Sequence, residues 1–398
     1  MSHDSGAGRF RWLVLAIFVL SSAINYLDRQ TLATLAPVIR SEFRLSNTQY
    51  GLIVSAFSVM YAASAPFAGM LIDGIGLNRE ITLAVGVWSC AGIATGFTRG
   101  LSGLAGCRGV LGIAEAAGIP AAGKAIHHYL RPAERALGNA LNQAGVSLGM
   151  ILAPPLATYL AVRVGWRQAF VVTGILGLIW IPLWRWTSRQ TGTTAPAKLD
   201  AGAGIEMLRD RRLWAFVAAN ALSMVGYSLW TNWTTLYLVG VHGLTLVEAA
   251  WYAWIPPVFA ALGGAAGGWL SLRFMNRGVA ALPARFRVCA AAAALSLFTA
   301  AIPLAPTAAW ASAGISLSIF AVAAFSVNMY SAPLDAFGGA RAAFAVSILV
   351  ASYGAAQAVI SPAFGKVIDL YGYAPLAVAA ALTPLAACTV LWGARAAQ

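Results

Sequence analysis

Long apolar stretches, separated by short polar or Gly/Pro-containing segments, run along the whole sequence. Each is close to 20 residues or longer, the length at which an α-helix crosses a hydrocarbon layer about 30 Å thick. The pattern predicts an all-α polytopic membrane protein with twelve transmembrane helices. The predicted spans are at about 11–36, 48–72, 80–98, 101–128, 136–162, 167–186, 212–239, 248–274, 286–305, 308–333, 341–368 and 374–394.

Composition and charge support this prediction. Of the 398 residues, 60% are hydrophobic and 10% charged, against roughly a quarter charged in soluble proteins. This excludes a soluble globular enzyme. The net charge of +13 is explained by cytoplasmic loops rather than by nucleic-acid binding. With both termini inside, 18 basic residues fall on the cytoplasmic side and 6 outside, which predicts a multi-pass protein of the cell's inner (plasma) membrane.

A polar stretch between the sixth and seventh spans separates two halves that resemble each other. We predict a cytoplasmic N-terminus at 1–10, a six-helix bundle at 11–186, a cytoplasmic linker at 187–211 and a second bundle at 212–395. Pro155 precedes Gly165-Trp166 by ten residues, as Pro362 precedes Gly372-Tyr373. Two duplicated six-helix halves, with a substrate site between them at mid-membrane, are typical of major facilitator transporters.

Four charged residues lie inside apolar spans of the first half, namely Asp28, Arg29, Arg108 and Glu115. A charge at the centre of a bilayer costs about 2.5–3.5 kcal/mol on insertion scales. Arg108 and Glu115 are seven residues apart and share a helix face, which predicts that they interact. Burial favours the neutral form of a carboxylic acid, and a nearby cation or bound anion shifts that balance, so Glu115 is a candidate proton carrier. The alternative is an ion pair that only holds helices together.

Arg29 shares a face of the first span with Ser22 and Asn25. This polar stripe suits an oxyanion, because the planar fork of arginine binds a carboxylate with two parallel hydrogen bonds. Arg29 and Asn25 are therefore candidate substrate ligands. Two alternatives remain: Asp28 neutralises Arg29, or Arg29 extends towards the membrane surface.

The second half carries aromatic and amide side chains in place of buried charges. Aromatic rings stack on C–H faces while polar tips bind hydroxyl groups, so this set suits a polyhydroxylated ligand. Interfacial belts or ordinary helix packing are the alternative. The candidates for substrate binding, with Tyr61 from the first half, are Trp230, Asn232, Trp233, Asn328, Tyr353 and Gln357.

Residues 145–149 match the GxSxG pattern of serine hydrolases, which makes an intramembrane hydrolase a remote alternative. That pattern needs a strand-to-helix elbow and a nearby histidine, whereas this stretch continues a long helix into Pro154. Gly145 and Gly149 are better explained by close helix contact. We predict no catalytic residue, no metal site and no cofactor.

Several segments resemble the anion:cation symporter family of the major facilitator superfamily, which includes hexuronate and galactonate transporters and the vesicular glutamate and sialic acid carriers. They are 25–29 (NYLDR), 108–116 (RGVLGIAEA), 145–155 and 165–170 (GWRQAF). The resemblance implies that Arg29 contacts the substrate carboxylate and that Glu115 is the main proton-coupling acid. It also implies that Asp28 is a second protonatable group and Arg108 the basic partner of Glu115.

The segment Gly69–Gly76 resembles the family's loop between the second and third helices. The resemblance implies that an acid at Asp73 latches the two halves, although Gly74 stands where a basic residue is usual. The candidates for gating or conformational roles are Asp73, Gly69, Arg79, Gly145, Gly149 and Pro154.

These observations predict a monomeric, proton-coupled symporter of a small organic anion, a sugar acid or related monocarboxylate, that works by alternating access. Its partners would be the substrate, protons and the lipid bilayer, with no nucleic acid. A drug/proton antiporter or a uniporter of the same fold remains the alternative.

Overall fold

The computed structural model describes residues 4–131, 134–189, 207–337 and 339–396. The chain is an all-α polytopic membrane protein, as the apolar pattern predicts. In chain order the helices are α1 (Asp4–Phe43), α2 (Asn47–Ile75), α3 (Leu77–Thr95), α4 (Leu101–Glu115), α5 (Gly118–Tyr129), α6 (Arg135–Val164), α7 (Trp166–Arg189), α8 (Arg211–Ser223), α9 (Val225–His242), α10 (Leu246–Ala253), α11 (Ile255–Asn276), α12 (Ala281–Ser296), a 3₁₀ helix (Leu297–Leu304), α13 (Ala308–Phe337), α14 (Gly339–Tyr371) and α15 (Ala374–Ala396).

Each of the twelve predicted spans corresponds to one helix or to two helices in line. Within the described residues, ten of these spans are long and apolar enough to cross a membrane. The other two of the twelve predicted spans, the second and the third, correspond to α2 and α3. Several helices extend beyond the predicted bounds; α1 runs to Phe43 rather than to residue 36.

Three predicted spans are interrupted, and proline accounts for two of the breaks. The helix pauses between Glu115 and Gly118, because the nitrogen of Pro120 has no hydrogen to donate one turn back and its ring crowds the preceding turn. Pro256 lies in the first turn of α11, directly after the break at Trp254, a position where proline is favoured. The first break places Glu115 at the end of α4.

The described chain divides into two compact units. The first unit comprises Met1–Leu35 and Ala56–Leu199, and the second comprises Ala36–Ser55 and Asp200–Gln398. The division differs from the predicted bundles at residues 36–55, the end of α1 and the start of α2, which pack with the second half. Most of the predicted linker, residues 190–206, lies outside the described residues.

Polar and close backbone contacts attach the start of α2 to α14 within the second unit. The carboxylate of Asp369 accepts hydrogen bonds from the backbone N–H and side chain of Asn47, at 3.0 and 2.8 Å, and from those of Thr48, at 2.9 and 2.8 Å. A Cβ at Gly51 would collide with the carbonyl oxygen of Ser361. Asp369 therefore caps α2, since free N–H groups at a helix N-terminus favour an anion.

The backbone shows the duplication more fully than the sequence does. Residues with positive φ follow equivalent spans of the two halves, and such φ values favour glycine. The pairs are Arg44 (51°) and Gly243 (66°), Gly76 (84°) and Gly278 (85°), and Gly165 (97°) and Gly372 (72°). The third pair is the repeat predicted from the sequence. The first pair cannot be recognised from the sequence, because one of its members is Arg44 rather than a glycine.

Close packing against α6 and α7 holds α1 in place in the first unit. A Cβ at Gly149 would collide with the carbonyl oxygen of Ala23, and one at Gly145 would crowd Val19. From the side of α7, the indole Nε1 of Trp180 donates to the carbonyl oxygen of Ile17 at 2.6 Å. Residues 145–149 lie in the interior of α6, so the glycines serve helix contact and form no strand-to-helix elbow.

Candidate functional site

The first unit encloses a cavity of about 320 Å³. Polar groups line it from α1 and α6, and the ends of α4 and α5 close another side. Its lining residues are Phe18, Ser21, Ser22, Asn25, Tyr26, Arg29, Tyr61, Ile81, Trp88, Glu115, Gly118, Ile119, Ala122, Gly123, Asn139, Asn142, Gln143 and Val146. The structure thus brings together four predicted residues from three spans, namely Asn25, Arg29, Tyr61 and Glu115.

An ion pair between α1 and α4 lies at the centre of the site. Nε and Nη2 of Arg29 both donate to Oε2 of Glu115, at 3.0 and 2.6 Å. The Glu115 side chain is fully buried, whereas 23% of the Arg29 side chain is exposed. Asn25 lies near the Glu115 carboxyl group, but its amide nitrogen and Oε1 of Glu115 have no hydrogen-bond partner among the described residues. The cation is therefore the accessible member of the pair.

Aromatic rings surround the guanidinium group of Arg29. Its central carbon lies 4.8 Å from the ring centroid of Tyr26, 4.6 Å from that of Phe57 and 5.4 Å from that of Tyr61. Ring faces attract a cation and limit the directions from which another group can approach. The rings therefore hold the guanidinium in place without neutralising its charge.

The partner of Glu115 differs from the one predicted. The sequence predicted Arg108, whereas the direct hydrogen bonds come from Arg29. Residues seven apart in one helix are separated by roughly 10 Å along its axis, so a shared face does not bring their charged groups into contact. Arg108 is buried, its guanidinium lies 5.8 Å from the ring of Phe170, and its charge acts on both Glu115 and Asp28.

Asp28 does not line the cavity. Its carboxylate lies near Thr173 in α7, but neither of its buried oxygens has a hydrogen-bond partner among the described residues, and the Thr173 hydroxyl donates to the carbonyl oxygen of Phe170. A Cβ at Gly92 in α3 would lie 3.9 Å from Oδ2 of Asp28. The residue is 3% exposed. Asp28 and Arg29 thus point to different surroundings, as expected for neighbours about 100° apart on a helix, and Arg29 pairs with Glu115.

Three cavity-lining side chains in the first turns of α6 were not among the predicted site residues. Asn139, Asn142 and Gln143 all line the cavity, and the Oδ1 of Asn142 accepts a hydrogen bond of 2.8 Å from Ser22. Their spacing in the sequence indicates a common position, because amides at i, i+3 and i+4 share one helix face. They were overlooked because they carry no charge.

The second-half candidates lie in the second unit, where several are engaged in helix packing. Asn328 is 1% exposed, and its amide donates to the carbonyl oxygens of Gly267 and Ala324 at 3.2 and 2.9 Å. Trp230 is buried, and its ring lies 5.5 Å from that of Tyr237.

The remaining second-half candidates show similar contacts. Trp233 is also buried and packs edge-on against Tyr50, with ring centroids 5.0 Å apart. The amide of Asn232 donates to Ser228 O in its own helix at 2.9 Å. Tyr353 is partly buried with its ring 6.2 Å from that of Tyr227, and Gln357 is 8% exposed. Their role in substrate binding stays a prediction.

The gating candidates lie in three helices. Arg79 is exposed near the start of α3, and Pro154 lies within α6 beyond the contacts of Gly145 and Gly149 with α1. Gly69 and Asp73 belong to α2, and the side chain of Asp73 lies outside the described part of the structure. The predicted latch at Asp73 stays a prediction.

Comparison with known proteins matches this architecture. The model of the Major Facilitator Superfamily matches residues 18–349. The chain is 28% identical to the hexuronate transporter of Escherichia coli K12, covering 96% of this chain and 93% of that protein. It is 29% identical to the galacturonate transporter of Dickeya chrysanthemi, covering 67% and 83%.

Among solved structures, the chain is similar to a bacterial homologue of the human lysosomal transporter Spinster, crystallised in an inward-facing and occupied conformation. The TM-score is 0.74 at 23% sequence identity, and the match covers 97% of this chain and 95% of that chain. This likeness concerns the fold.

Proposed function

Because the chain belongs to the major facilitator superfamily, we propose that it is a proton-coupled symporter that imports a sugar acid or related organic monoanion by alternating access. The chain is a membrane transporter rather than an enzyme. The relatives named for hexuronate and galacturonate support an organic anion as substrate.

The Arg29–Glu115 pair within a cavity carries the proposal. An anionic substrate needs a cation, and the accessible cation of the cavity is already bound to a buried acid. Protonation removes the charge of Glu115 and weakens its hold on Arg29, because the Coulomb attraction between the two opposite charges is lost. The freed fork of Arg29 then binds the substrate carboxylate. Binding of proton and anion is thereby coupled.

Release follows the same logic in reverse. When Glu115 loses its proton on the cytoplasmic side, its carboxylate competes with the substrate for Arg29. Asp28, buried against α7 and within the electrostatic reach of Glu115 and Arg108, would act as a second protonatable group. We place both termini in the cytoplasm because of the excess of basic residues there, and we expect a monomer in the inner membrane.

Counterflow and accumulation in proteoliposomes test the proposal. We expect Glu115→Gln to exchange labelled galacturonate for unlabelled galacturonate, because the neutral amide leaves Arg29 free. The same variant should lose accumulation driven by an inward proton gradient. Glu80→Gln is the matched control, since Glu80 is a buried acid of the first unit outside the cavity lining, and it should retain accumulation.

Intact proton-driven accumulation by Glu115→Gln would remove this residue from coupling. Substrate uptake by the wild type that follows the substrate gradient and does not change with pH would indicate a uniporter. Proton release coupled to the uptake of organic cations would indicate an antiporter.

A further inference from the structure

The amide side chains of α6 face the same cavity as the Arg29–Glu115 pair, and the proton-coupling mechanism makes no use of them. We infer that Asn139, Asn142 and Gln143, together with Ser22, form an amide wall that binds the hydroxyl groups of the substrate. This inference rests on the proposed function and deepens it. The first unit would then bind both the carboxylate and the hydroxyl groups of one ligand.

The wall has unused hydrogen-bonding capacity. The bond from Ser22 occupies the amide oxygen of Asn142 and leaves its two N–H donors for another partner. Asn139 and Gln143 are exposed at the cavity, and the side-chain amide of neither has a hydrogen-bond partner among the described residues. Amides offer donors and acceptors without charge, which matches hydroxyl groups and leaves the ionic interaction to Arg29.

The distance between Arg29 and the amide wall suits one small ligand that contacts both. Ser22 lies seven residues before Arg29 in α1, which separates their backbones by roughly 10 Å. Long side chains in helices lean towards the N-terminus, so the guanidinium of Arg29 lies over the turn that carries Tyr26, in agreement with their 4.8 Å separation. A ligand held by its carboxylate at Arg29 therefore extends its other end towards Ser22 and Asn142.

Two probes of the same shape separate the wall from the ion pair. Galacturonate presents a ring with a carboxylate and hydroxyl groups, whereas cyclohexanecarboxylate presents a similar ring and carboxylate alone. Equilibrium binding to the purified full-length protein would be measured for wild type, for Asn142→Ala and for a triple alanine variant at 139, 142 and 143. Leu141→Ala is the control, because Leu141 lies in the same turns and is exposed away from the cavity lining.

We expect the triple variant to bind galacturonate about tenfold more weakly or worse, and Asn142→Ala to show an intermediate loss. Binding of cyclohexanecarboxylate should not change in either variant, and Leu141→Ala should match wild type with both probes. An equal loss for both probes, or no loss for galacturonate, would overturn the amide wall.

Failure of the proposed function would look different, because wild type would then bind neither carboxylate. Misfolding is recognised separately. Gln143→Leu preserves side-chain bulk and removes only the amide, so it should lose galacturonate selectivity while its thermal unfolding midpoint stays at the wild-type value. Wild-type selectivity in that variant would contradict the contribution of Gln143.

Discussion

Arg29 binds Glu115 through a single carboxylate oxygen, with both of its donating nitrogens directed at Oε2. The two residues are 86 positions apart in sequence and meet where α4 ends at the break before α5. A fork aimed at one oxygen differs from the parallel, two-oxygen geometry that arginine forms with a carboxylate when unconstrained. In the proposed function, the fork of Arg29 would therefore direct its two bonds to two oxygens of the substrate carboxylate instead of to one.

Replacing Arg29 with lysine tests this use of the fork. Lysine keeps the charge but provides a point donor in place of two fixed N–H groups. Losing one charge-assisted hydrogen bond costs about 1.5–3 kcal/mol, so we expect Arg29→Lys to bind galacturonate roughly ten- to hundredfold more weakly. Titration of the purified protein measures this.

The control for that substitution is Arg11→Lys. Arg11 forms an ion pair of 2.6 Å with Glu134 outside the cavity lining, and its loss should leave affinity unchanged. Wild-type affinity in Arg29→Lys would exclude Arg29 as the substrate ligand.

Asp28→Asn separates coupling from binding. Asp28 does not line the cavity, so the isosteric amide should leave the dissociation constant for galacturonate unchanged. If Asp28 takes part in proton movement, accumulation under a proton gradient should fall while counterflow continues. The dissociation constant, accumulation and counterflow are measured in parallel. Weaker binding of galacturonate with unchanged accumulation would contradict a role of Asp28 in coupling.

Two adjacent glycines in α11 provide a test of helix packing with a built-in control. A Cβ at Gly263 would collide with the carbonyl oxygen of Phe320 in α13, whereas one at Gly264 meets nothing within 4 Å. We expect Gly263→Ala to destabilise the protein by about 1–3 kcal/mol through overpacking. Gly264→Ala should be neutral or stabilising by up to about 1 kcal/mol, because alanine favours helix. Thermal unfolding in detergent compares the two, and equal midpoints would refute the packing argument.

Removing the carboxylate of Asp369 should loosen the start of α2. We expect Asp369→Ala to lose about 0.5–2 kcal/mol, the range for loss of a helix N-cap, and Asp369→Asn to lose less because it retains one acceptor. The apparent unfolding midpoint is the measurement. Lys366→Ala, an exposed change one turn earlier in α14, should have no effect, and a drop as large as that of Asp369→Ala would argue against the cap.

The membrane explains which site residues could be predicted from the sequence. Charges in apolar runs are conspicuous because hydrocarbon excludes them, so Arg29, Glu115, Asp28 and Arg108 could all be identified. Their pairing could not, because periodicity relates positions within one helix, whereas the ion pair joins α1 to α4. The amides of α6 share one face and could have been found by the same reasoning applied to uncharged polar groups.

For the fold too, the helices could be predicted from the sequence but the contacts between them could not. Hydropathy predicts the number of spans and most of their bounds, since span length follows from bilayer thickness. The grouping of residues 36–55 with the second half could not be predicted, because it depends on contacts such as that of Asp369 with Asn47, 322 positions away. Proline positions alone could not have predicted the breaks after Glu115 and at Trp254, because Pro154, Pro182 and Pro362 lie inside continuous helices.

The close approach of α1 and α6 at Gly149 has a consequence for substrate range. Because the two backbones meet there without intervening side chains, the distance from Arg29 to Asn142 is fixed by helix geometry rather than by flexible packing. We therefore expect the cavity to discriminate between ligands by their length, because an acid that is too short would reach one end only. Substitutions in the first turns of α6 would then change the preferred length of the ligand and leave the Arg29–Glu115 pair intact. Related carriers could differ in substrate range in this way.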